Sequence, residues 1–362
     1  MKRSLFFFSG EPGNGQLARR PTQLLVNQLD APGLRRAGVK MVGAALWPPP
    51  ALRPGRGPLA EAIIQLRELE RFGRKAPDFG LALDAAAARR IMASGGIALV
   101  PSLEGGEAIA SVADVDVLFA AGMRTLGLAH FSDNALAGAR DDQLGRLLGL
   151  VLDGPADGLT PLGREVVDRL FDLGVVVDVD HCSAQTVEDV LQLAEARHVP
   201  VIASHIGATL QGRSLGDEHA RRILALGGLL GVGIYRHALL APVPEGERWA
   251  GYAPGTCDDV VAHWLHYSAL GPPGAVMLGS DLSNLSGRPL PGGLCPEGIA
   301  HAGELPGLFL ALVDRGIGRE HLDASAERYV ALLERVEAAA DPRVRARALD
   351  TAVPRPGSFD VP

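Results

Sequence analysis

The sequence predicts an α/β protein built as a (β/α)8, TIM-like barrel, and three observations carry that expectation. Eight short apolar runs are separated, for the most part, by stretches with helical periodicity. Most of those runs close on a polar residue, as strands do when they end at one functional rim. From Gly174 to His205, two runs that each close on a histidine flank one helix. That is a βαβ unit, and a crossover of this length joins parallel neighbours. An open doubly wound sheet is the alternative. So many polar, metal-capable strand ends favour a closed ring around one centre.

In chain order, Ser4–Phe8 is a short aromatic strand. The glycine-rich Gly10–Gly15 lacks the Gly-Lys-Ser/Thr ending of a phosphate loop and reads as a plain loop. Val39–Trp47 is the next strand, closed by Pro48-Pro49-Pro50. Leu59–Phe72 carries Ala62, Ile63, Leu66 and Leu69 at helical spacing, and a further helix covers Asp84–Ser94. The strand Ile97–Leu103 ends at Glu104, with Gly105-Gly106 after it. Helix Val112–Gly122 leads to strand Thr125–Ala129, which ends at His130. A helical piece near Asp141–Val151, a turn at Gly158–Gly163 and helix Arg164–Leu173 feed the strand that closes on Asp180-His181. Ser183 is the N-cap of the helix bearing Val187, Val190, Leu191 and Ala194. Val199–Ala203 then closes on Ser204-His205. Helix Asp217–Leu226 precedes strand Leu229–Ile234, which ends at Tyr235. After a Pro- and Gly-rich insertion, His237–Thr256, helix Cys257–Leu270 leads to strand Ala275–Gly279, ending Ser280-Asp281. Helices Glu304–Arg315 and Ser325–Ala339 complete a single domain, residues 1–345, with a C-terminal tail at 346–362.

The bulk properties exclude several classes. The 362 residues are 47% hydrophobic and 21% charged, an ordinary globular balance. A net charge of −7 without an obvious basic patch argues against nucleic acid as a partner. The three cysteines, Cys182, Cys257 and Cys295, make neither a disulfide framework nor a CxxC metal site. Cys182 stands beside His181 but is expected to point away from the rim and to be structural. The apolar run Leu5–Phe8 is too short for a signal peptide, and no run approaches the roughly 18 apolar residues of a membrane span. The expectation is a cytoplasmic protein with no membrane partner.

The strand ends carry, in order, Ser9 and Glu11, Trp47, Glu104, His130, His181, His205, Tyr235 and Asp281. Neighbouring strands lie about 4.8 Å apart, so His181 and His205 leave the same rim side by side. Two imidazoles so placed can share one ion, because zinc takes His nitrogens at about 2.0–2.1 Å. The plain alternative is that each histidine caps its strand and bonds to backbone. Glu104, His181, His205 and Asp281 together form a ligand and acid/base set for zinc. Such a site makes bound water nucleophilic at neutral pH, and a nearby carboxylate can take and return a proton.

At these residues the sequence resembles the membrane dipeptidase (renal dipeptidase) family of zinc peptidases. The likeness lies in SLEGGEAI around Glu104, LGLAHFSDN around His130, GLTPLGREVVDRLFDLGVVVDVDHCS up to His181, VIASHIGA around His205 and VMLGSDL around Asp281. LRRAGVKMVGAALW, Leu34–Trp47, adds to it, and the likeness runs from Leu34 to Glu337. The resemblance implies a TIM-like barrel of the metallo-dependent hydrolase type whose two-zinc centre cuts the peptide bond of dipeptides. It implies Glu104 as the bridge between two zincs, with His181 and His205 on one of them. It implies Asp281 as the acid/base that protonates the leaving amine and His130 as the group that polarises the scissile carbonyl. Arg213, in GRSLGDEHARRIL, matches the arginine that grips the substrate carboxylate, and Tyr235 is placed with it as substrate-binding.

One departure stands beside the match. The family opens with a His-x-Asp pair at the end of its first strand, where this chain has Ser9-Gly10-Glu11 and no histidine before His130. Glu11 can offer an oxygen ligand, but Ser9 cannot replace an imidazole. The expectation is one tightly bound zinc at the His181/His205 position and a weak or empty second site. The Asn that the family carries near the start of its last helix is also missing, Ala326-Glu327-Arg328 standing there.

The leading expectation is therefore a dipeptidase-type zinc hydrolase acting on a dipeptide or similar small molecule, with a homodimer left open. The alternatives are the same barrel turned to another reaction on a small amino-acid-derived substrate, and a catalytically silent barrel kept for binding or structure. Metal content separates the silent reading from the others. A panel of dipeptides and small amides separates the first two.

Overall fold

Parallel pairing organises the chain. The computed structural model describes residues 30–48, 57–130, 132–140, 157–207, 215–234, 256–282 and 292–354. Within them, one sheet contains β1 (Met41–Leu46), β2 (Phe79–Leu81), β3 (Ile97–Glu104), β4 (Thr125–Gly127), β5 (Val176–Asp178), β6 (Ile202–Ile206), β7 (Leu229–Gly233) and β8 (Val276–Gly279). The order is β1-β3-β4-β5-β6-β7-β8, with β2 also beside β3, and every pairing is parallel. Strands such as MVGAAL and LLGVG are buried along their whole length. Runs of that kind suit a parallel sheet covered on both faces, where no alternation with polar residues is needed.

The helices are α1 (Ala31–Arg36), α2 (Pro58–Lys75), α3 (Ala85–Ala93), α4 (Val112–Ala121), α5 (Pro161–Leu173), α6 (Ala184–Arg197), α7 (Asp217–Ala225), α8 (Cys257–Ser268), α9 (Leu305–Asp314), α10 (Arg319–Asp323), α11 (Ser325–Ala339) and α12 (Pro342–Leu349). Their starts are set by side chains. Asp84 accepts from Ala87 N at 2.6 Å before α3, and Ser183 accepts from Thr186 N at 3.1 Å before α6. α5 begins three residues before the expected Arg164: Thr160 accepts from Gly163 N at 2.8 Å and Pro161 takes the first helical position. The expected turn at Gly158–Gly163 is thus mostly a helix cap. Gly174, at φ +68°, closes the same helix in the left-handed conformation and points the chain into β5.

β3 and β6 stand three ladder steps apart, which is about 14 Å in a flat sheet. Yet Oε1 of Glu104, on β3, lies 3.4 Å from Nε2 of His205, on β6. Side chains standing perpendicular to a flat sheet would not meet across that distance. The sheet therefore curls around a common axis, in the TIM-like arrangement that the sequence predicts. Two glycines let β6 sit deep in the curl. A Cβ on Gly231 in β7, or on Gly279 in β8, would collide with the carbonyl oxygen of Ser204, and one on Gly279 would also lie 2.5 Å from Cα of His205.

Several details differ from the sequence expectation. β2 was not expected, nor was α1. β6 starts later than Val199 and contains His205 rather than ending before it. β5 stops at Asp178, so His181 lies three residues past the strand, at φ +60°. α12 runs across residue 345 with Val344 and Ala348 buried against the body. The strand expected at Ser4–Phe8 and the helix near Asp141–Val151 lie outside the described residues. No helix among the described residues is long and apolar enough to cross a membrane.

Candidate metal centre

Glu104 is the last residue of β3, and Gly105 at φ +96° turns the chain away directly after it. Its Oε1 lies 3.4 Å from Nε2 of His181 and 3.4 Å from Nε2 of His205. The two Nε2 atoms are 2.9 Å apart. All three ligand atoms fall within 4.8 Å of one another. On His205 the other ring nitrogen is occupied: Nδ1 is 2.7 Å from Ser204 Oγ and 3.1 Å from Asp180 Oδ2. That turns Nε2 inward, the orientation a metal ligand requires. Two imidazole nitrogens and a carboxylate oxygen facing one point are the donor set of a divalent transition metal such as zinc. The residues present therefore fit the ion.

His130 joins this cluster. Its Nε2 lies 3.5 Å from Glu104 Oε1. Its ring meets those of Trp47 and His181 edge-on, at centroid separations of 4.9 and 4.7 Å. Burial pushes the His130 pKa down to about 3 against the pull of Glu104, so the ring is neutral at pH 7. His205 is driven the other way. Burial opposes its charge, but Asp180, Asp281 and Glu104 outweigh burial and push it up to about 9. For Glu104, burial is likewise outweighed, here by His130, His181 and His205, which hold its carboxyl well below the usual carboxylate range. Asp281 follows β8 at φ +44°. Burial pushes its carboxyl up to about 7, with His205 opposing and Glu104 and Asp180 reinforcing the rise.

Of the residues singled out in the sequence, the structure brings Glu104, His181, His205 and His130 into one cluster and places Asp281 within electrostatic reach of His205. Glu11, Ser9, Arg213 and Tyr235 lie outside the described residues. Cys182 is buried, its thiol is pushed far up by burial, and it is not among the clustered ligands. Sequence reasoning missed Asp178, Asp180, Ser204 and Arg140. Asp180 accepts from the backbone N–H of both His181 and His205 at 2.7 Å, and from Arg140 Nη2 at 2.7 Å. The signal for it was present as Asp-Val-Asp-His, an acid directly before a ligand, but it read as the polar end of a strand.

The profile of the family described as membrane dipeptidase (peptidase family M19) matches residues 16–342. An uncharacterized dipeptidase of Schizosaccharomyces pombe is 30% identical over 226 residues, which cover 61% of this chain and 48% of that protein. A second from the same yeast is 28% identical over 215 residues, covering 58% and 45%. The chain thus spans about half the length of the curated relatives it matches. Among solved structures, the probable dipeptidase PvdM from Pseudomonas aeruginosa superposes with a TM-score of 0.73 at 20% identity, covering 94% of this chain and 96% of that one. A metallo peptidase from Rhodobacter sphaeroides, solved with a phosphinate mimic of the dipeptide L-Ala-D-Ala, superposes with a TM-score of 0.73 at 22% identity, covering 93% and 100%. At these identities the two structures speak to the fold.

Proposed function

This chain belongs to the membrane dipeptidase family, peptidase family M19, and we propose that it is a zinc-dependent hydrolase cleaving the peptide bond of dipeptides or a similar small amide. The observation that carries the proposal is the convergence of Glu104 Oε1, at the end of β3, with the Nε2 atoms of His181, in the turn after β5, and His205, within β6. Zinc held there would supply a nucleophilic water at neutral pH and polarise the scissile carbonyl. Asp281, its carboxyl near neutrality, is suited to take a proton and return it to the leaving amine. His130, kept neutral by burial, can donate an N–H to the carbonyl oxygen as charge builds on it. Arg213 and Tyr235 are assigned to the substrate, Arg213 to its carboxylate, on the family resemblance alone. Glu11 is the candidate for a weak second ion, and the reading remains one tight zinc, because Ser9 stands where the family has an imidazole.

The test is a metal count followed by an assay. Zinc-saturated chain, freed of excess ion, is expected to hold one zinc and to release free amino acids from members of a dipeptide panel. His181→Ala and His205→Ala are each expected to lose tight zinc, since two remaining ligands make a weak site. A chain that takes up no zinc, or alanine variants that keep wild-type stoichiometry and affinity, would overturn the metal assignment. Two full-occupancy zincs without Glu11 as a ligand would overturn the one-ion reading.

A further inference from the structure

β5 and β6 are joined by a single in-register pair, Asp178 with Ile202. Beyond it the two chains lead towards His181 and His205, and backbone N–H groups that a longer ladder would satisfy need other acceptors. Two carboxylates provide them. Asp178 Oδ1 accepts from Ser204 N at 3.1 Å and from Asp180 N at 3.0 Å. Asp180 accepts from His205 N on Oδ2 and from His181 N on Oδ1, each at 2.7 Å. Its Oδ1 also accepts from Arg140, which ties in the loop after β4, and its Oδ2 lies 3.1 Å from His205 Nδ1. The carboxylate is 2% exposed, so it is shielded from bulk solvent.

We propose that Asp180 is the positioning residue of the centre: one side chain grips the backbone of both histidines and thereby sets where their Nε2 atoms stand relative to Glu104. The proposal rests on the metal-binding reading above. The geometry explains a feature that the strands alone leave open. His181 lies past the end of β5 in a left-handed conformation, outside any ladder, and its N–H is held by the residue just before it. His205 is inside β6, yet the β6–β7 register shifts between Ala203 and Ile206, so the ladder on that side does not fix it either. Asp180 spans both irregularities. Arg140 offsets its charge and limits the carboxylate's rotation. Ser204 Oγ, 2.7 Å from His205 Nδ1, is the competing orienter, and it touches only one of the two ligands.

Asp180→Asn is the decisive variant. Three N–H donors converge on the two oxygens, so an amide NH2 in place of either oxygen must face one of them. Zinc affinity, measured by chelator competition on the full chain, is expected to fall about 10- to 100-fold, and the visible absorption of the cobalt(II)-loaded protein is expected to change with the ligand geometry. Ser204→Ala is expected to lose less than about threefold, because Asp180 remains beside Nδ1. An Asp180→Asn protein within about threefold of wild type, with an unchanged cobalt spectrum, would sink the proposal while leaving the metal reading intact. If wild type itself binds no zinc, the metal reading fails and this inference with it. Should Asp180→Asn not fold, Arg140→Gln takes its place and is expected to cost about three- to tenfold in affinity by freeing the carboxylate. No loss there, alongside a larger loss in Ser204→Ala, would assign the positioning to Ser204 instead.

Discussion

The outer helices and the barrel rim use the same charged residue types in opposite circumstances. Outside, Arg222 on α7 meets Glu195 at 2.7 and 3.0 Å and Glu188 at 2.5 Å, both on α6, and Arg89 on α3 meets Glu327 and Glu334 on α11 at 2.7 and 2.8 Å. These arginines and acids are between 21% and 59% exposed, so water can take over from any partner that is lost. At the rim a single carboxylate, Glu104, faces three imidazoles, and Asp180 serves two backbone donors and a guanidinium. Nothing there belongs to a private pair. The lesson is that pairing on the surface reinforces the charge each group already carries, with Arg89 and Arg222 pushed up and Glu188, Glu195 and Glu334 pushed down by their partners, whereas sharing inside drives neighbours away from their ordinary states: His130 goes down to about 3, His205 goes up to about 9 and Asp281 goes up to about 7. Divergent titration within one cluster marks the place where protons can be moved.

Four substitutions sharpen this contrast. Asp281→Asn keeps the shape of the rim and removes the carboxyl proposed as its proton carrier. Turnover of a dipeptide substrate is expected to fall about 10²-fold or more with zinc content unchanged, and a variant near the wild-type rate would take Asp281 out of the chemistry. Gly231→Ala attacks the rim through packing alone. The new Cβ collides with the Ser204 carbonyl, so a loss of about 1–3 kcal/mol in denaturant unfolding is expected, together with weaker zinc binding as His205 is displaced. An intact stability would mean that β6 has room to retreat.

His263, fully buried on α8, tests the middle ground between rim and surface. Burial pushes its pKa down to about 4, so the folded protein keeps it neutral while the unfolded chain protonates it at its ordinary value near 6.5. The unfolded state therefore binds more protons in that window. This contribution to stability is complete above pH 6.5 and is lost as pH falls towards 4. His263→Phe is expected to flatten that part of the stability curve, and parallel curves for the two proteins would remove His263 as a cause. The smallest effect belongs to the surface. Arg222→Ala is expected to cost about 1 kcal/mol or less, diminishing further in high salt, despite its two carboxylate partners. A loss as large as that of Gly231→Ala would erase the distinction between the two regions.

Much of the architecture was legible because apolar runs and caps are local signals. The expected helix Ser325–Ala339 forms, and Ser183 caps the helix that follows it by accepting from Thr186 N. β2 escaped notice because it has three residues with a glycine in the middle, and α1 because its Ala-Pro-Gly opening reads as a loop until Asp30 is seen to cap it by accepting from Gly33 N. The grouping of Glu104, His181 and His205 could be anticipated, since each sits at or near the end of an apolar run. Their fine placement could not. Where β5 gives out, and that His205 lies within β6, depend on acceptors supplied by Asp178 and Asp180, and a one-dimensional reading cannot tell an acid turned inward from one facing water. Gly231 and Gly279 carried no visible signal for the same reason, because a close approach between strands is not written in either strand alone.

His181 and Asp281 share the left-handed backbone conformation, at φ +60° and +44°, which among the described residues only His198 shares outside glycine. That conformation costs an ordinary residue about 1–2 kcal/mol, and glycine or asparagine would occupy it more comfortably. A variant library screened for thermal stability alone would thus drift towards glycine or asparagine at the two positions, and would discard the proposed ligand His181 and the proposed proton carrier Asp281 while reporting improvement. Any such screen should score retained zinc at His181 and dipeptide turnover at Asp281 beside thermal tolerance, and each is expected to fall as tolerance rises.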